Sequence, residues 1–126
     1  MTIAAFAGRF DWLTLFAPAV VAANTDGTIA IDTRPYEGVA KFRIAAAAAG
    51  TGVTRNARLQ HSDTQGGTYT DVPGGAFPVS GANAAQDAEL QLDVNVMKPW
   101  VRVAFAVSGG TATGAVYVGF GAQRKY

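Results

Sequence analysis

Beyond residue 36, apolar and polar side chains alternate with a period of two, the pattern of strands that bury one face. In residues 39–47, Ala40, Phe42, Ile44 and Ala46 share one face, and Lys41 and Arg43 lie opposite. Alanine's helix propensity would suit the run 45–49 to a helix. That run follows an alternating strand and precedes Gly50-Thr51-Gly52, however, which predicts strand and then turn. Residues 57–62 place Leu59 inward, with Arg58 and Gln60 outward. Residues 63–67 read as a turn, because glycine accepts positive φ and aspartate bonds its own backbone. Residues 68–72, rich in Thr, Tyr and Val, return as the partner strand of a hairpin. Pro73, Gly74 and Gly75 predict a further turn, and residues 76–79 a short edge segment limited by Pro78. After a loop over 81–87, Leu90 and Leu92 alternate with Glu89, Gln91 and Asp93, and residues 94–98 suit a single helical or irregular turn ahead of Pro99. The strongest strand pattern is 100–108, with Val101, Val103, Phe105 and Val107 on one face. Residues 115–121 bury Val116, Val118 and Phe120. Their opposite face, Ala115, Tyr117, Gly119 and Gly121, is nearly bare, as expected where another backbone or subunit approaches closely.

Upstream, Asn24-Thr25-Asp26-Gly27 predicts a turn, and Ile29 with Ile31 a short strand. Residues 12–23 form a mostly apolar run that resembles the centre of a signal peptide, yet Asp11 precedes it and only Arg9 supplies positive charge. The run is too short to cross a bilayer as a helix, and Pro18 interrupts it. It predicts a strand or an arm packed on protein, and no membrane partner. With these segments, about eight strands joined by short turns predict an all-β fold, a β-sandwich or jelly-roll-like domain. The expected division is an apolar N-terminal arm or edge-covering strand over residues 1–23 and the sandwich over 24–126. An open sandwich leaves edge strands with unpaired backbone groups, and the arm is suited to cover one, in its own subunit or a neighbour's.

Composition narrows what such a domain does. A chain of 126 residues suits a single core. Charged residues make up only 15%, and much of the 49% apolar share is alanine. Two readings of the low charge stand: part of the surface is covered in a working assembly, or the composition reflects an alanine-rich genome. Net charge is +1, without the clustered basic face of a nucleic-acid binder. The two charges in Gln123-Arg124-Lys125-Tyr126 are too few to hold a polyanion at physiological salt. Cysteine is absent, which removes disulfides, thiol catalysis and thiolate metal sites.

The titratable groups do not compose a reactive centre. His61 stands beside Ser62 and Asp63, but a triad needs convergence, and neighbours on a strand point to alternate faces. A single histidine without cysteine excludes zinc. Asp26, Asp63, Asp71, Asp87 and Asp93 offer oxygens, but the Asn24–Gly27 stretch lacks the downstream glutamate of a calcium loop. Glu89 and Asp93 are four apart on a strand, roughly 13 Å, too far for paired glycosidase carboxylates. The expectation is no enzyme, no metal and no cofactor. Phe6, Phe10, Trp12, Tyr36, Tyr69, Trp100 and Tyr117 are able to stack on sugars, but core or interface roles suit strand aromatics better.

Several segments carry a resemblance. Arg58-Leu59-Gln60-His61-Ser62-Asp63, with Gly67-Thr68-Tyr69-Thr70-Asp71-Val72 and Gly74-Gly75-Ala76-Phe77, is similar to a hairpin of small virion proteins of tailed bacteriophages. So are Leu90-Gln91-Leu92-Asp93, Lys98-Pro99-Trp100-Val101-Arg102-Val103 and Val118-Gly119-Phe120-Gly121-Ala122-Gln123-Arg124-Lys125-Tyr126. The resemblance spans about residues 37–126, leaves out the arm, and rests on strand-and-turn patterns without catalytic content. It implies a bacteriophage virion component made in the host cytoplasm, of the capsid decoration (cement) type. Such a protein binds the outside of the head and stabilises contacts between major capsid protein subunits. The expected partners are the major capsid protein and further copies of the chain, for instance as a trimer on a local threefold axis. Candidate interface residues are Phe6, Phe10, Trp12, Leu13, Leu15 and Phe16 of the arm, with Tyr117, Arg124 and Tyr126. The alternative for the arm is that it completes the domain's own core. Alternatives for the whole chain are a tail, neck or receptor-binding component, or a carbohydrate-binding β-sandwich module using Tyr69 or Trp100.

Overall fold

The alternating segments become strands, and their pairing follows from doubling one ribbon. The computed structural model describes residues 9–78 and 83–125. Its strands are β1 Phe10–Val20, β2 Thr25–Asp26, β3 Ile31–Asp32, β4 Tyr36–Ala46, β5 Thr54–Ser62, β6 Thr70–Ala76, β7 Gln86–Asp93, β8 Trp100–Ser108 and β9 Ala115–Arg124, with a 3-10 turn at Val94–Val96. β5 and β6 form the expected hairpin. Outward from it, β4 pairs with β7, β2 and β3 with β8, and β1 with β9, all antiparallel. This ribbon then winds on itself, setting β9 beside β4 and β8 beside β5. Two sheets result, β1-β9-β4-β7 and β2-β8-β5-β6, with β3 also on β8. This is a jelly roll, in which β2 and β3 act as one interrupted strand, so that the ribbon holds about eight.

The inner faces meet in one core. Phe42 and Ile44 of β4 and Val116, Val118 and Phe120 of β9 pack toward Leu59 of β5 and Val101, Val103 and Phe105 of β8. Edge-to-face aromatic pairs knit it: Tyr36 and Phe42 lie 5.3 and 5.1 Å from Phe120, and Phe16 of β1 reaches across to Phe105 at 4.9 Å.

Three local expectations change. Asn24 to Gly27 is not a turn: Thr25 and Asp26 pair with Phe105 and Ala104, because β8 offers an edge that only the folded sheet supplies. Pro73-Gly74-Gly75 does not end its strand. Gln60 faces Asp71 and Arg58 faces Ala76, so the intervening residues bulge out, helped by Gly74 at φ +75°, and Phe77 N–H resumes the ladder on Ala57 O. Gln60 points outward as predicted but is buried, beneath a polar network described below.

Two polar side chains close the ends of the sandwich from within. Arg55 shares the inner face of β5 with Ala57 and Leu59 and is 4% exposed. It donates to Thr113 O (2.9 Å), Gly114 O (3.1 Å) and Ala47 O (2.9 Å), tying the loop after β4 to the loop before β9. Burial pushes its pKa down, yet a guanidinium stays protonated in proteins. At the opposite end, His61 Nδ1 accepts from Lys98 N–H at 3.1 Å, which requires a neutral imidazole.

Arg55→Met keeps the bulk but strands three carbonyls, and urea denaturation is expected to show a loss of about 2–4 kcal/mol. For His61, burial first and the Lys98 ammonium second push the pKa down, against a smaller upward pull from Asp63. The folded state therefore favours the neutral ring. Its stabilisation is whole above the unfolded histidine pKa and is lost as pH falls from there toward the lower folded value. The urea midpoint should fall between about pH 7.5 and pH 5, and fall less in His61→Gln.

Candidate functional site: an aromatic ledge on the first sheet

The outer face of the first sheet is ordered in columns. Phe10, Trp12 and Thr14 of β1 stand opposite Gln123, Gly121 and Gly119 of β9. Gly121 and Gly119 in turn face Lys41 and Arg43 of β4, and those face Gln91 and Glu89 of β7. Arg124 N–H donates to Arg9 O at 2.7 Å, so the hydrogen-bonded pairs of this ladder are Arg9, Asp11 and Leu13 with β9. Trp12 and Gly121 form a non-hydrogen-bonded pair, in which Cα atoms approach to about 4.5 Å and side chains crowd.

Glycine is what permits this crowding. A Cβ on Gly121 would overlap the Trp12 ring, and one on Gly119 would lie 2.8 Å from both Trp12 and Tyr117 Oη. The indole lies across the bare backbone and donates from Nε1 to Tyr117 Oη at 3.2 Å. The empty face of β9 is thus covered by an aromatic ring of the same chain, while the ring's other side faces outward: Trp12 remains 46% and Phe10 55% exposed.

The remaining interface positions divide. Leu15 is 0% exposed and belongs to the core, and Phe16 is half-buried against Phe105. Leu13 is exposed at the sheet edge. Arg124 binds Asp11 at 3.1 Å, and Arg9 and the Tyr36 hydroxyl bind the same carboxylate at 3.1 and 3.3 Å. The Arg124 hydrogen bond holds the Asp11 pKa below the ordinary carboxylate range against the opposing effect of burial, with Arg9 and Tyr36 assisting. The charge of β1 is therefore matched inside the fold, and the ledge is apolar. Phe6 and Tyr126 lie outside the described residues.

The outer face of the second sheet is different in kind. Arg102 donates to Gln60 Oε1 at 2.9 and 3.0 Å and approaches Asp26 at 3.5 Å. Gln60 donates to Asp71 at 3.0 Å, which Arg58 also reaches at 3.2 Å. Tyr69 lies over the Arg102 guanidinium at 4.2 Å, and Arg34, held by Asp32, lies 5.7 Å from the Trp100 ring. Each of these aromatics thus has a guanidinium against one face, and the polar groups bond one another. Sequence reading missed Arg55 and this network because no local signal says which polar residues share a neighbour across strands.

A shallow cleft of about 250 Å³ lies at the end of the sandwich among Thr33, Tyr36, Met97, Pro99 and Lys125, below the usual size of small-molecule sites. Among the described residues, no three of His, Cys, Asp and Glu are grouped to hold a metal, and no helix is long and apolar enough to cross a membrane.

The sequence matches no protein-family model and no curated protein. Solved structures share its fold. The SPBc2 prophage-derived protein YomS aligns with a TM-score of 0.53 at 13% identity, over 90% of this chain and 92% of that one. The structure of infectious bursal disease virus, Gx strain, aligns with a TM-score of 0.55 at 10% identity, over 94% of this chain and 33% of that one. At such identities the likeness is one of fold.

A double-mutant cycle tests the ledge. Gly121→Ala is expected to cost about 1–3 kcal/mol by displacing the indole. The same change in a Trp12→Ala background should cost clearly less, since the clash with the indole is gone and only the tip of the Phe10 ring remains close.

Proposed function

We propose that the chain is a structural protein of a tailed-bacteriophage particle, a decoration (cement) protein that binds the outside of the head and bridges major capsid protein subunits. The observation that carries this reading is the ledge: exposed Phe10 and Trp12 on a strand whose one charge, Asp11, is paired within the fold, carried by a jelly roll whose other broad face is polar and internally bonded. Surfaces of this composition bind protein, because large aromatics bury much area at little entropic cost. The attaching element is the amino-terminal segment 1–23, which contains β1, with Phe10 and Trp12 as anchors and Tyr117 behind them. A head presents many equivalent sites, so a homo-oligomeric protein needs only modest contacts to stay bound. The fold shared with a prophage-derived protein and with a viral particle protein supports a place in a virion, as does the phage-like hairpin. The role is adhesive, without turnover of any substrate.

Purified particles imaged by electron microscopy should carry the chain over the whole shell, in a fixed ratio to the major capsid protein. Confinement to a unique vertex or to tails would assign it to a neck, tail or receptor-binding part. Trp12→Ala should weaken binding to undecorated heads by about tenfold or more, while Val96→Ser, at an exposed apolar residue away from the ledge, should leave it unchanged.

A further inference from the structure

Four edges border the two sheets, and an edge strand carries backbone groups open to pairing unless it is short, charged, bulged or interrupted by proline. Three are protected in those ways. β2 and β3 are two residues each. β6 carries Pro73 and the bulge opposite Arg58 and Gln60. β7 exposes Asp87, Glu89 and Asp93, so an antiparallel copy of itself would bring carboxylates together.

Among the described residues, β1 is protected only in its second half, by register shifts after Thr14 and by Pro18. Residues 10–14 are regular, and Phe10, Trp12, Leu13 and Thr14 are exposed, with Asp11 half-buried and its carboxylate the only charge among them. Asp11 is turned inward to Arg124, Arg9 and Tyr36. Since Arg9, Asp11 and Leu13 bond to β9, the alternation of an antiparallel ladder turns the N–H and C=O groups of Phe10, Trp12 and Thr14 toward the open edge. The most exposed aromatic side chains and the free backbone groups thus belong to the same residues.

We propose that this edge is a self-pairing site, where a second copy of the chain adds its own residues 10–14 antiparallel across a twofold axis at Trp12. The segment is its own complement. Its free donors and acceptors are symmetric about Trp12, so Trp12 exchanges hydrogen bonds with the Trp12 of the second copy, and Phe10 with its Thr14. No charge meets a like charge. The first sheets of both copies become continuous, and the two ledges merge into one apolar surface across the axis. Such a contact is isologous and closes at two copies. The inference goes beyond attachment to a phage head and does not rest on it, because it concerns the purified chain alone.

Sedimentation velocity of the full chain over a concentration series should show reversible monomer–dimer association. Thr14→Pro removes an N–H that β9 does not use, at an edge where proline is tolerated. It should weaken dimerisation by about tenfold or more while circular dichroism stays native. Val96→Ser should leave dimerisation unchanged. In the wild-type chain, amide exchange at Phe10, Trp12 and Thr14 should slow as concentration rises, a measurement that decides the matter even where Thr14→Pro does not fold. A monomer at every concentration, a dimer indifferent to folded Thr14→Pro, or exchange independent of concentration would overturn the proposal. A monomeric wild type whose Thr14→Pro variant loses binding to heads would assign the edge to a strand of the shell protein instead.

Discussion

The contact between the Trp12 ring and the side-chain-free backbone of Gly119 and Gly121 is the constraint on which the first sheet depends. β1 is the last strand of that sheet and is mostly exposed, so little burial holds its outer side. What holds it is the indole lying across β9 and bonded to Tyr117, the Asp11 cluster at one end, and Leu15 and Phe16 entering the core beyond the first register shift. Any side chain at residue 121 would meet the ring. The same contact leaves one side of Trp12 in solvent beside Phe10, so the feature that completes the sheet also produces the exposed aromatic surface proposed for attachment.

The two broad faces divide the labour. On the second sheet, Asp26, Arg102, Gln60, Asp71 and Arg58 bond one another in a chain across four strands, with Tyr69 over Arg102. Asp26 and Asp71 are still largely open to water, and docking would strip that water from charged groups at a cost in desolvation, so this face favours solvent. On the first sheet the aromatic side chains of the ledge, Phe10 and Trp12, carry no charge and gain by being covered. Under the proposed attachment, this asymmetry would favour one binding orientation.

Much of the fold was legible in the sequence because period-two alternation is a local property. It reports burial of one face whatever the partner, and it marked β4, β7, β8 and β9 as well as the hairpin of β5 and β6. The bare positions Gly119 and Gly121 announced a close approach by a backbone or a subunit, and what arrives is the Trp12 ring of the same chain. Asn24 to Gly27 and Pro73 to Gly75 misled because neighbouring strands decide their fate: Thr25 and Asp26 are drawn into pairing with β8, while residues 73–75 spend their turn propensity on a bulge between two pairings with β5. Arg55 drew no notice because a lone arginine in an alternating strand looks the same whether it meets water or three carbonyls.

By itself, then, the sequence determined the strand content, the inward and outward faces and the absence of thiol chemistry, all of which depend on residue type and spacing along the chain. The tertiary structure alone decided the strand order, with β9 beside β4 and β8 beside β5, that Trp12 lies on β9, that Arg55 ties two loops, and that β1 is the least protected edge among the described residues. These are contacts between residues up to about a hundred positions apart. They arise only when separate segments compete to bury the same surface, and no local pattern records which segment wins.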